Sequence, residues 1–257
     1  MPRLRFASLG SGSQGNGLVV EAGGTRVLLD CGFGLTEAAA RLSRLGLSGE
    51  DLDAVVVTHE HDDHIGGVAR LARRHSLPVW LTHGTLCGFE SLFADVELGI
   101  IESYGAFRIG DLELQPFPVP HDAREPAQFV FCDGLHRLGV LTDAGASTRH
   151  IEELLSGCDA LVLECNHDPD LLRRSAYPQC VKDRIASRLG HLDNAAAGRL
   201  LSGLDNRRLR HVVAAHLSQQ NNRPALARKA LAWALGCEED EILVASQDDG
   251  CSWIALD

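Results

Sequence analysis

Six consecutive residues, His59-Glu60-His61-Asp62-Asp63-His64, set three imidazoles and three carboxylates directly behind the apolar run DAVVVT. On a surface such groups gain little from one another, and buried without partners they would be costly. The chemistry that uses this mixture is metal binding: imidazole suits zinc, and carboxylate also suits manganese or magnesium. If strand geometry persists past Thr58, His59 and His61 point the same way and can share one cation. Asp63 and His64 fall at the start of the next helix and can turn towards a second. Gly66-Gly67 then lets backbone or substrate approach closely. The pattern is not the zincin helix, whose histidines stand four apart; the residue four after His59 is Asp63. Three more candidate ligands each end an apolar run: His121 after LELQPFPVP, Asp143 after RLGVLT and His216 after RHVVAA.

The elements that must position these residues alternate along the chain. Strand-like LVVEAGG and TRVLLDCG meet at a Gly-Gly turn. A helix is expected over 36–45, DAVVVTH reads as a buried strand, and 63–74 as one helix. PVWLTH and a short helix over 85–93 follow, and 96–143 is mostly β. Beyond Asp143 helices are expected at 147–155, within 170–188, at 194–203 and at 222–235, between the strands DALVLEC, HVVAAH, ILVAS and SWIAL. Each half is β-rich or alternating with helices to one side, which implies layered α/β packing of two sheets between helices. No linker or short repeat interrupts the chain, so residues 1–257 are expected to form a single domain.

Composition narrows the class. The 257 residues are 45% hydrophobic and 23% charged, as in ordinary globular proteins. The net charge of −11 opposes strong non-specific binding to phosphate backbones. No apolar run approaches a membrane span, and the N-terminus has no secretory pattern, so a cytoplasmic protein without membrane contact is expected. Eight cysteines without a C-x-x-C pair read as reduced thiols. Gly10-Ser-Gly12-Ser-Gln-Gly15 matches a dinucleotide fingerprint, but strands follow where that site needs a helix, so the reading is rejected. The Gly/Ser loop is left as either an active-site loop or a plain tight turn.

The pattern H-x-H-x-D-H after a strand, then single His, Asp and His at later strand ends, resembles the metallo-β-lactamase superfamily from LLLDCG to HLSQQNN. The resemblance implies a four-layer αββα sandwich with the site at the edge of both sheets. It implies two divalent ions, zinc first and manganese as the alternative, with His59, His61 and His121 on one and Asp63, His64 and His216 on the other. Asp143 would bridge them, and Asp30 would support the site without being a ligand.

LECNHD (163–168), GHLDN (190–194) and HLSQQNN (216–222) follow the order of ribonuclease Z-like phosphodiesterases. With SLGSGSQGN and HDAREP, the chain is similar to the small YycJ/WalJ-like group of metal-dependent hydrolases. That implies a nuclease, with 5′–3′ exonuclease action among its expected forms, acting on nucleic acid or small phosphodiesters. Asp63 is the expected proton acceptor and His191, oriented by Glu164, the expected proton donor. The competing activity is hydrolysis of lactones or thioesters by the same metals. Oligomeric state is left open, a homodimer included. His167 could share the donor's task or only cap its loop, Asn221 and Asn222 could orient His216 or start the next helix as N-caps, and His83 is read as lying outside the site.

Overall fold

The computed structural model describes residues 4–256. Their strands form two seven-stranded sheets. The first holds β1 (Arg5–Gly10), β2 (Gly17–Ala22), β3 (Thr25–Leu29), β4 (Ala54–Val56), β5 (Val79–Thr82) and β6 (Leu98–Ile101), with β14 (Cys251–Ala255) beside β1. The second runs in order from β7 (Phe107–Ile109) through β8 (Leu112–Pro118), β9 (Ala127–Cys132), β10 (Arg137–Leu141), β11 (Ala160–Glu164) and β12 (His211–Ala215) to β13 (Ile242–Val244). Each sheet is antiparallel at one end and parallel at the other. The parallel parts are β3 to β6 and β10 to β13.

Helices α1 (Leu35–Arg44), α2 (Asp62–Ile65), α3 (Val68–His75) and α4 (His83–Leu86) belong to the first half. Helices α5 (Arg149–Leu155), α6 (Pro169–Arg174), α7 (Gln179–Ile185), α8 (Asn194–Gly203) and α9 (Pro224–Leu235) belong to the second. Apolar residues form three layers. Phe6, Val20, Val27, Leu114, Phe129 and Phe131 fill the space between the sheets. Leu28, Leu42, Val55 and Leu71 pack the first sheet against α1 and α3. Leu161, Leu200, Val212 and Leu231 pack the second against α8 and α9. This is the expected αββα arrangement, and it explains why the parallel strands read as unbroken apolar runs: both their faces are covered.

Three expected elements are cut differently. The DAVVVTH strand pairs regularly only over β4. Val57 still donates to Trp80 O, but Thr58 N turns to the Asp30 carboxylate, and the chain leaves the sheet there. The expected helix 63–74 is two helices, α2 and α3, parted at Gly66-Gly67. The expected helix 85–93 is α4 followed by a 3-10 turn at Glu90–Phe93.

The break at the glycines has a packing cause. A Cβ on Gly67 would lie 1.8 Å from Phe33 O, and Gly67 N donates to Cys31 O at 2.7 Å. The close approach left open by the sequence is therefore to backbone. Gly67→Ala should force the histidine loop away from the loop after β3. We expect a loss of about 2–4 kcal/mol of stability, read by denaturant unfolding, with weakened metal retention. Wild-type unfolding would reject this account.

Candidate metal centre

The loops that leave the C-terminal ends of the parallel strands carry the candidate ligands, the edge at which open α/β sheets place their sites. β3 delivers Asp30, β4 the histidine loop, β10 Asp143, β11 Glu164 and β12 His216; the antiparallel β8 delivers His121. Among the described residues, four that are not glycine have left-handed backbone, and three of them are here: Asp30 (φ 60°), Asp143 (φ 50°) and His216 (φ 53°). Such conformations cost of order 1–2 kcal/mol each. They turn the chain sharply out of the strand, so that the side chain faces its neighbours across the sheet edge.

The seven expected ligands converge. Three overlapping sets bring their ligand atoms within 4.8 Å of one another: His59, His61 and His121; Asp63, His64 and His216; and His59, His64 and Asp143. His121 Nε2 lies 3.3 Å from His61 Nδ1. Asp63 Oδ2 lies 3.5 Å from both His64 Nε2 and His216 Nε2. Asp143 stands between the groups, Oδ2 2.9 Å from His64 Nε2 and Oδ1 3.9 Å from His121 Nε2.

Hydrogen bonds fix which ring nitrogen faces inward. The Nδ1 of His64 is bonded to Asp30 Oδ2 (2.7 Å), that of His121 to Gly190 O (3.1 Å), and that of His216 to Glu164 Oε1 (3.0 Å). His59 Nδ1 meets Thr58 Oγ1 at 3.0 Å, while that hydroxyl donates to Asp30. Each of these four rings therefore presents Nε2 to the centre, whereas His61 presents Nδ1. Backing of this kind is how proteins hold imidazole ligands to a cation.

Whether the residues fit a metal is decided by atoms without partners. His59 Nε2 and His216 Nε2 are buried, aimed into the centre and without a hydrogen-bond partner. Asp143 Oδ2 is buried too, and meets His64 Nε2 without hydrogen-bond geometry. Buried orphan groups are rare and costly, and divalent cations would satisfy all of them. Electrostatics agree. Burial and the neighbouring His64 hold His59 well below the usual imidazole range, in its neutral, ligating form. Burial alone would do the same to His216, yet Asp143, Asp63 and Glu164 outweigh it and push its pKa up to about 10. Burial likewise opposes charge on His64, but Asp143, Asp30 and Asp63 raise it. The carboxylates thus demand positive charge at the centre.

Glu164 is the hub behind the site. It is fully buried, and each oxygen accepts two hydrogen bonds. Oε1 takes His191 Nδ1 (2.8 Å) and His216 Nδ1 (3.0 Å); Oε2 takes Ala144 N (3.0 Å) and Leu192 N (3.1 Å). Burial would raise its pKa, but His191 and His216 bring it to about 2, so it stays ionised. Glu164→Gln turns one acceptor into a donor facing two others. We expect a loss of about 3 kcal/mol of stability together with metal affinity, read by thermal unfolding and metal titration. An unchanged midpoint would show that the carboxylate is dispensable.

The centre opens into a cleft of about 370 Å³ lined by His61, Asp63, Asp122, Tyr177, Arg184 and His191, among others. Residues 25–216 match the family model described as a β-lactamase superfamily domain. The chain belongs to the metallo-β-lactamase superfamily. Within it, the chain is 35% identical to exodeoxyribonuclease YycJ of Bacillus anthracis over 90% of this chain and 89% of that protein. It is 31% identical to exodeoxyribonuclease WalJ of Streptococcus pneumoniae, over 89% and 87%. The metallo-β-lactamase fold protein YhfI from Bacillus subtilis superposes with a TM-score of 0.77, at 18% identity and 99% coverage of both chains.

Several residues stand behind the candidate ligands, and some of them carry no local signal in the sequence. Asn16, from the Gly/Ser loop, donates through Nδ2 to Asp63 Oδ2 at 3.2 Å and lies 3.1 Å from His64 Nε2. Ser11 Oγ accepts from His216 N at 2.8 Å. The Gly/Ser loop is therefore a brace for the centre. Asp122 sets its carboxylate 3.5 Å from His121 Nε2 at the cleft mouth and pairs with Arg184. The motif HDAREP could have suggested Asp122. Asn222 bonds to Asn194 and to Cys165 O, and Arg223, not an asparagine, is the N-cap of α9. It is Asn166 that holds His216, by donating to its carbonyl at 3.1 Å. His167 is buried in the neighbouring cavity, and His83 starts α4 beside Cys87. No helix among the described residues is long and apolar enough to cross a membrane.

Proposed function

We propose that this chain is a dinuclear metal-dependent phosphodiesterase that removes nucleotides from DNA ends. Zn²⁺ is the fitting ion, given five imidazoles in the ligand set, and Mn²⁺ the alternative. His59, His61 and His121 would hold one ion, Asp63, His64 and His216 the other, with Asp143 shared. Relatives at 35% and 31% identity named as exodeoxyribonucleases support this reading. Eight cysteines, all unpaired, fit a reducing cytoplasm where such a substrate lies.

When bound, divalent cations there supply Lewis acidity towards water and towards a phosphoryl oxygen. The chain's own residues move the protons. Asp63 reaches the cleft with its carboxylate ionised, because His64 and His216 outweigh the cost of its burial; it accepts a proton from the attacking water. His191 carries the reading: Glu164 fixes its Nδ1, and the ring, 22% exposed at the cleft wall, keeps Nε2 for a substrate bound in the cleft. Burial opposes charge on this ring, but the Glu164 carboxylate overcomes it and raises its pKa. The ring can then protonate a departing sugar alkoxide, a poor leaving group that gains from a dedicated acid. Lactones and thioesters need that acid less. The test is hydrolysis of DNA strands and bis(p-nitrophenyl) phosphate by zinc- or manganese-loaded protein, beside a lactone panel. Diester cleavage is expected, and turnover of lactones alone would reject the assignment.

A further inference from the structure

The cleft does not end at His191. The same imidazole lines a second cavity of about 280 Å³ with Arg173, Lys182 and Leu172, formed over α6, α7 and the start of α8. Pro169 of that cavity also lines a groove of about 560 Å³ between α8 and α9. Ala195, Gly198 and Arg199 form one wall of the groove; Leu226, Lys229, Ala230 and Trp233, one stripe of α9, form the other. A Cβ on Gly198 would lie 3.0 Å from Ala230 O, so the helices meet closely beneath the groove. Trp233 stands above it, 85% exposed.

Charge follows the same line. Arg173 and Lys182 line the cavity and Arg199 and Lys229 the groove, against Asp168, Asp183 and Asp193, in a chain whose net charge is −11. The chain's two lysines, Lys182 and Lys229, line the cavity and the groove. Of the acids that face this line, Asp168 caps α6 through two backbone N–H groups, Asp183 accepts from Gln179, and Asp193 caps α8 by accepting from Ala196 N. Arg173 pairs with Asp170, and the charges of Arg199 and Lys229 have no partner among the described residues. Adjoining cavities that share His191 and Pro169, with cations along their walls and an indole at the far end, have the chemistry of a single-strand path.

We propose that a single strand of DNA runs from the metal centre past His191, across the Arg173–Lys182 cavity and into the α8–α9 groove, where a base stacks on Trp233. This rests on the phosphodiesterase reading above and extends it to the strand beyond the scissile bond. Stacking on an indole is sequence-tolerant, and the cations follow the backbone, so the path selects single strands without selecting sequence.

The test is binding of metal-loaded protein to a fluorescein-labelled 20-nucleotide DNA strand with phosphorothioate linkages, read by anisotropy over a salt series. Trp233→Ala should weaken binding about tenfold, the scale of one unstacked base. Arg199→Ser with Lys229→Ser should reduce the slope of log affinity against log salt by about 0.7 for each phosphate no longer neutralised. Bis(p-nitrophenyl) phosphate, too small to reach the groove, should turn over at the wild-type rate in both variants. Wild-type affinity in Trp233→Ala, with normal diester hydrolysis, would remove the path and leave the activity standing. Binding through Trp233 by a protein that hydrolyses no diester would keep the path and remove the function proposed above.

Discussion

Asp143→Ala should abolish turnover, with a fall of at least about 10³-fold in kcat/KM, and should lower the content of tightly held metal. Asp143 is the residue placed between the two ligand groups, with Oδ2 2.9 Å from His64 Nε2 and Oδ1 3.9 Å from His121 Nε2. It is buried, and its negative charge is stabilised there, against burial, chiefly by His216 and His64. In the proposed centre its removal takes away the ligand shared by both ions, and it leaves His64 and His216 without a carboxylate that favours positive charge there. Lewis acidity in such a centre is worth several kcal/mol, and about 4 kcal/mol corresponds to 10³ in rate. Elemental analysis beside diester kinetics checks both halves. A variant that retains two equivalents of metal and near-normal turnover would remove Asp143 from the centre.

His191→Ala should leave metal content unchanged and lower DNA hydrolysis about 10²-fold, the scale of general acid catalysis. The ring belongs to the cleft wall, and in the proposed ligand sets it holds no ion. The loss should depend on the leaving group. p-Nitrophenolate is a weak base and departs without a proton, so cleavage of bis(p-nitrophenyl) phosphate should fall far less than cleavage of DNA. A structural defect would slow both substrates alike. Equal losses on the two substrates, or no loss on either, would strip His191 of the donor role.

Much of this site was legible as local grammar. A polar or ionisable residue that closes an apolar run marks where the chain leaves a strand, and His59, His121, Asp143 and His216 each close one. The parallel strands had to be continuously apolar because both faces are covered. The rejection of the Gly10–Gly15 fingerprint agrees with the fold, where β2 and β3, not a helix, follow the glycines.

The sequence by itself thus determined the layered fold, the candidate ligands and the family, because residue type and spacing within a few positions carry that information. Only the tertiary structure decided which nitrogen of each ring faces inward, that Glu164 braces His216 as well as His191, and that Asn16, Ser11 and Asp122 belong to the site. It also decided where the histidine loop breaks, since the clash at Gly67 comes from Phe33, a residue of another loop. The physical reason is the same throughout. A hydrogen bond or a steric contact between distant segments leaves no period in either one. Ser11 and His216 are 205 residues apart and meet only because the two sheets bring their edges together.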